Sequence, residues 1–169
     1  MPGLTQPAWM TIANSYLGQA EKKGPQHNAH VLKWWKNIGA PFKDDETPWC
    51  GAFVGGVLVE SGIQPVKGGA SARAWLKLPV KLDKPAVGSV VIFWRGKKSG
   101  ASGHVGFVVG KDKRGNLMVL GGNQGDAVTI KPFSTDRVLG YRWPGVYPYA
   151  ERFRLPVFDT GAPTSTNEA

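Results

Sequence analysis

The 169-residue chain has a single cysteine, Cys50. This excludes an intrachain disulfide framework and any zinc site built on several thiolates. No apolar run approaches the roughly 18 residues that a membrane helix needs. The N-terminus, MPGLTQPAW, lacks a basic start followed by an apolar stretch, so no signal peptide is expected and synthesis is expected in the cytoplasm. Acidic residues are few, 12 against 21 Lys and Arg, for a net charge of +9. The excess is regional: residues 61–114 hold eleven Lys and Arg against Asp83 and Asp112, and the rest of the chain balances to zero. Such a stretch attracts polyanions, an anionic bacterial envelope among them, or serves as a solvated face. Hydrophobic residues make up 41% and charged residues 20%, a globular composition. The 23 glycines and 13 prolines point to many turns between short elements.

The first half reads helical. Trp9, Ile12, Ala13, Tyr16 and Leu17 follow Pro7 at helical spacing, with Gly18 as a stop. Asn28 suits the cap of a second helix that carries Val31, Leu32, Trp35 and Ile38 and ends at Gly39. A third helix is expected from Thr47-Pro48 to Gly62, and a short fourth from Ser71 through Leu76. The second half changes period. Strands are expected over 87–94, 104–109, 116–120, 127–130 and 138–142, separated by Gly-rich or charged turns. Helices followed by an antiparallel meander indicate an α+β domain over residues 1–146. Residues 147–169 read as an extension whose last ten or so residues, small and polar, are expected to be flexible.

Two residues draw attention as reactive groups. With Thr47 as N-cap, Cys50 falls in the first helical turn, where the macrodipole and unpaired N–H groups favour a thiolate and can hold an oxyanion. A lone cysteine is otherwise a small buried hydrophobe. A thiol nucleophile needs a base, and His104 opens the strand HVGFVVG. Setting Gly110 opposite Leu117 in an antiparallel hairpin places Asn123 opposite His104 on one face. An amide oxygen there fixes the imidazole tautomer and aims the other ring nitrogen at the thiol. A slip of one residue would break that pairing.

The segments TPWCGAFV, SGHVGFVVG and LGGNQ together resemble the papain-like cell-wall hydrolases, the CHAP and NlpC-type peptidases, and most of all their small phage-endolysin branch. Pro7-Ala8-Trp9 and Gly24–Asn28 strengthen the likeness, which spans about Pro7 to Pro144. The resemblance implies a papain-like fold with N-terminal helices on a small antiparallel sheet. It implies Cys50 as nucleophile, His104 as base and Asn123 as the polar third member. The implied substrate is an amide bond of peptidoglycan, in the stem peptide or joining it to the glycan, cleaved at the bacterial cell wall without a cofactor. The chain departs from the family in two places. Trp49 stands where many CHAP proteins have Gln, and Gly121 where many carry an acid two places before the Asn. The base must therefore be oriented by Asn123, or Gln124, without a carboxylate. Some relatives bind calcium through acids before the cysteine. Asp44, Asp45 and Glu46 invite the comparison but read more simply as partners of the helix dipole.

His27 and His30 lie three apart with no third ligand evident, so no metal site is expected. His27, Trp49, Trp75 and Gln124 are instead candidates for substrate contact, whereas Trp9, Trp35 and Trp94 read as core. A monomer without a transmembrane segment or nucleic-acid partner is expected. Two competing readings remain: a non-catalytic basic module that binds the cell envelope, and a cysteine hydrolase acting on another amide.

Overall fold

The computed structural model describes residues 6–159. Among these described residues three α-helices come first: α1 (Ala8–Ser15), α2 (Ala29–Asn37) and α3 (Cys50–Glu60). Asn28 caps α2 through a bond from the His30 N–H, and Gly18 and Gly39 adopt the positive φ that terminates α1 and α2. Residues 72–77 form a 3₁₀ turn rather than an α-helix. Seven strands follow: β1 (Val80–Leu82), β2 (Val90–Trp94), β3 (Gly103–Asp112), β4 (Leu117–Gly121), β5 (Thr129–Phe133), β6 (Val138–Trp143) and β7 (Val157–Phe158). They form one sheet in the order β1-β6-β2-β3-β4-β5. All neighbours on this path are antiparallel, and β7 adds to β3 in parallel. This is the expected α+β, papain-like arrangement.

Helix α3 is the hub. Cys50 through Leu58 are buried, as expected for a helix that is apolar all round. It packs on Val105 and Phe107 of β3, with the Phe53 and Phe107 rings 6.2 Å apart. Its glycines allow this depth. A Cβ at Gly56 would enter the Trp34 ring, and one at Gly51 would collide with the Gly69 carbonyl. The opposite face of the sheet carries a second apolar cluster that includes Val91, Phe93, Val108, Val119 and Phe133.

Three expectations need correction. Helix α3 begins at Cys50, not Thr47, with Trp49 as its cap. The cause is Asp44, whose carboxylate accepts from the Glu46 and Thr47 N–H groups and closes a separate turn. Pro48 also disfavours a helical Thr47. The three acids thus precede the helix and none lies in its first turn. Next, Leu117 pairs with Lys111 rather than Gly110. A bulge between Val108 and Gly110 recovers the residue, so that Phe107 faces Leu120. Finally, strands β1 and β7, of three and two residues, lie where no strand was expected. The segment after residue 146 packs back on the domain through β7 and Phe153, and the expected flexible tail lies outside the described residues.

Candidate active site

Cys50 is the first residue of α3 and is 4% exposed. The first backbone bond of the helix runs from Phe53 N–H to the Trp49 carbonyl. The N–H groups of Cys50, Gly51 and Ala52 therefore precede the helical ladder. Those of Val105, Gly51 and Cys50 act on the sulfur and favour its anion, as does the charge of Arg95. Burial is the larger effect and pushes the thiol up. The expected resting thiolate is thus corrected to a neutral thiol, because desolvation outweighs the helix end.

His104 is fully buried on the first rungs of β3. Its ring stacks on Phe133 at 5.3 Å and 16° and on Phe93 at 6.3 Å and 26°. Nε2 lies 2.9 Å from Gln124 Oε1. The Gln124 amide nitrogen donates to the carbonyls of Val119 (3.1 Å) and Thr129 (2.9 Å). With both amide protons so placed, the oxygen must face the ring. Nε2 therefore carries the imidazole proton, and Nδ1 keeps its lone pair. Among the described residues Nδ1 is buried and makes no hydrogen bond. Burial lowers the His104 pKa to about 4; the Gln124 bond opposes this, while Arg95 and Arg137 add to it.

Gly121 and Gly122 mark where the His104 ring and α3 each meet the turn after β4. A Cβ on Gly121 would collide with Gln124 Oε1 and stand 3.4 Å from His104 Nε2. One on Gly122 would stand 2.6 Å from the Phe53 Cβ and 2.8 Å from the Trp49 ring. The imidazole meets Gly121 on the face that carries Phe93 and Phe133, α3 meets Gly122 from the other face, and no hydrogen bond joins His104 to Cys50 among the described residues.

Asn123 is buried in this turn at φ 59°, and its Oδ1 has no hydrogen-bond partner among the described residues. It is Gln124, not Asn123, that bonds the ring: the β3–β4 ladder ends at Phe107–Leu120, and the left-handed turn at Asn123 leads the next side chain back to the histidine. Gln124 is correspondingly a buried support rather than a substrate contact. Trp49 and Trp75 are also fully buried. Trp49 Nε1 donates to Glu21 (3.1 Å) and Trp75 Nε1 to the Gly69 carbonyl (3.0 Å), so both act as core wedges and present no face to a ligand. His27 bonds Asp45, 3.0 Å away, which also accepts from the Lys22 and Asn28 N–H groups. This ties the 22–28 segment to the approach to Cys50. His30 packs with Tyr16 and Trp34.

One residue at the site escaped the sequence reading. Arg73 donates to the carbonyls of Lys97 (2.7 Å), Lys98 (2.7 Å) and Ser102 (2.8 Å), clamping the loop that leads into His104. Nothing in the sequence separates it from the other cations of residues 61–114.

Residues 42–123 match the family model of the CHAP domain. The match covers 82 of the 169 residues, so the likeness to a CHAP domain holds for just under half of the chain. Its matched segment holds Cys50, His104 and Asn123 and stops one residue short of Gln124. No curated protein matches the chain. Among solved structures, an NlpC/P60 family protein from Bacillus cereus ATCC 10987 is similar, with a TM-score of 0.53 at 18% identity. The likeness covers 85% of this chain and 41% of that one, so this chain spans about two fifths of that protein's length. This likeness shows the shared fold.

Proposed function

We propose that the protein is a peptidoglycan hydrolase of the phage-endolysin kind, cleaving an amide bond of the stem peptide or its link to the glycan by cysteine catalysis. The observation that carries this reading is the His104 ring held through Nε2, with its Nδ1 lone pair unengaged, beside the strand residue whose N–H acts on Cys50. The CHAP match supports the substrate class.

The reaction starts from a neutral pair. His104 Nδ1 takes the thiol proton as the sulfur attacks the amide carbonyl. Catalytic hydrogen bonds commonly tighten only once substrate is bound. The oxyanion faces the Cys50 and Gly51 N–H groups of the first helical turn. The imidazolium protonates the leaving amine, and a thioester forms. His104 then deprotonates water, which attacks the thioester and frees the carboxylate and the thiol. Gln124 keeps the ring in place throughout as a positioning residue. The enzyme would act at the bacterial wall after release from its site of synthesis, with the basic 61–114 stretch meeting the anionic envelope.

Mass spectrometry of purified sacculi digested by the protein tests this reading. New free amines and carboxyls at one amide position support it, and identify the bond. Intact muropeptides after prolonged digestion would refute it.

A further inference from the structure

Away from the catalytic residues, the chain displays apolar side chains that the fold does not bury. Val146 is 93% exposed, Tyr147 63% and Tyr149 68%. Contiguous exposed apolar side chains, unlike scattered ones, mark binding surfaces. The segment is anchored on both sides. Strand β6 ends at Trp143 before it, and beyond it Val87 N–H bonds the Arg152 carbonyl at 2.7 Å. The rings therefore stand on a fixed support.

Tyr147 and Pro148 form a ridge between two cavities. One, of about 310 Å³, is lined by Trp9, Trp143, Tyr149 and Arg152. Its floor is rigid: the two indoles meet edge to face at 5.2 Å, and Trp9 Nε1 donates to the Gly88 carbonyl. The other, of about 500 Å³, is lined by Asp83, Lys84 and Phe153. There Tyr147 leans on Phe153, and Lys84 lies 5.1 Å from the centroid of that ring. Aromatic faces beside both hydrogen-bond donors and acceptors suit a saccharide, which offers apolar C–H faces ringed by hydroxyl and amide groups.

The ridge is separate from the catalytic pair. His104 faces Phe93, and Arg142 faces Val90. Trp143 thus stands four rungs along and two strands across the sheet from His104, roughly 17 Å away. A glycan strand can reach both places, whereas a peptide of two or three residues cannot.

We propose that the Tyr147–Tyr149 ridge is a second binding site, for the N-acetylated amino-sugar strand of the wall. The proposal rests on the peptidoglycan reading above and extends it from the bond to the polymer.

The test titrates a soluble N-acetylglucosamine hexasaccharide into full-length Cys50→Ala by calorimetry. Saturable binding that weakens by roughly tenfold or more with Tyr147→Ala plus Tyr149→Ala supports the site. The same pair of substitutions in the active protein should slow digestion of sacculi several-fold, yet leave turnover of a soluble stem-peptide fragment unchanged. Tyr149→Ala alone decides the question if the double variant fails to fold, and Tyr149→Phe should retain binding. Absent binding, binding indifferent to these changes, or an equal loss on the soluble fragment would overturn the proposal. So would self-association in sedimentation that the double variant abolishes, since the ridge would then be a contact between copies. Sugar binding without turnover of any substrate would refute the hydrolase reading and leave the ridge standing.

Discussion

The Gln124 carboxamide occupies the space that a side chain on Gly121 would need, and from there its oxygen reaches His104 Nε2 at 2.9 Å. The chain thus holds the imidazole with a neutral amide supplied from three residues beyond Gly121. A neutral acceptor fixes the ring but does not stabilise its cation as a carboxylate would, which agrees with a histidine pKa of about 4.

Gln124→Ala is expected to lower kcat/KM roughly 10- to 100-fold, because the base loses its orientation but not its chemistry. Gln124→Glu should restore little. It offers a better acceptor to His104 but loses the donors that meet the Val119 and Thr129 carbonyls. Leaving those acceptors unpaired costs about 1–3 kcal/mol. Steady-state kinetics and urea denaturation of both variants check this.

Gly121→Ala should push the Gln124 oxygen off the ring, destabilise the fold by about 1–3 kcal/mol and slow turnover. Gly121→Glu combined with Gln124→Ala should be more active than either single variant, because one acceptor then replaces the other. A double-mutant cycle on kcat/KM reads the coupling, and additive losses would contradict the shared-space account.

The pH dependence follows from the buried imidazole. His104 is neutral down to about pH 4 when folded, against an ordinary value of 6.5. The unfolded chain therefore takes up the proton first as pH falls. The stability tied to the neutral ring is complete above 6.5 and lost as pH falls through 4, about 3 kcal/mol in all. His104→Gln should flatten the stability profile over this window in urea titrations. The acid limb of kcat/KM should likewise lie nearer pH 4 than 6.5. Alkylation of the raised Cys50 thiol should be slow at neutral pH and accelerate in alkali.

Arg73 holds three carbonyls of the loop before His104 with one planar fork. Lysine cannot reproduce that geometry. Arg73→Lys is expected to speed hydrogen exchange across residues 95–103 and to reduce turnover, with little change in the global unfolding midpoint. Unchanged exchange there would show that the clamp is dispensable.

The elements most legible in sequence were those with local signals. Asn28 and Gly39 bounded α2 because capping and left-handed termination act within a few residues. The apolar run HVGFVV between two turn clusters revealed the strand that carries His104. The start of α3 was missed because the Asp44 side chain closes a turn where Pro48 suggested a helix. Trp49 and Trp75 gave no sign of which neighbours would cover them, since burial depends on residues such as Glu21, Gly69 and Gly122 far along the chain. The choice between Asn123 and Gln124 turned on one backbone angle, φ 59° at Asn123, because the bulge near Val109 had already restored the expected register at Phe107–Leu120. Strands of two or three residues carry too little pattern to be seen.

The central claim is that the Cys50 sulfur forms the bond to the carbonyl. Purified Cys50→Ala should unfold at the wild-type midpoint, remain bound to sacculi, and release no peptide or amine from them, while the unaltered protein releases both. Release by Cys50→Ala at the wild-type rate would contradict the account.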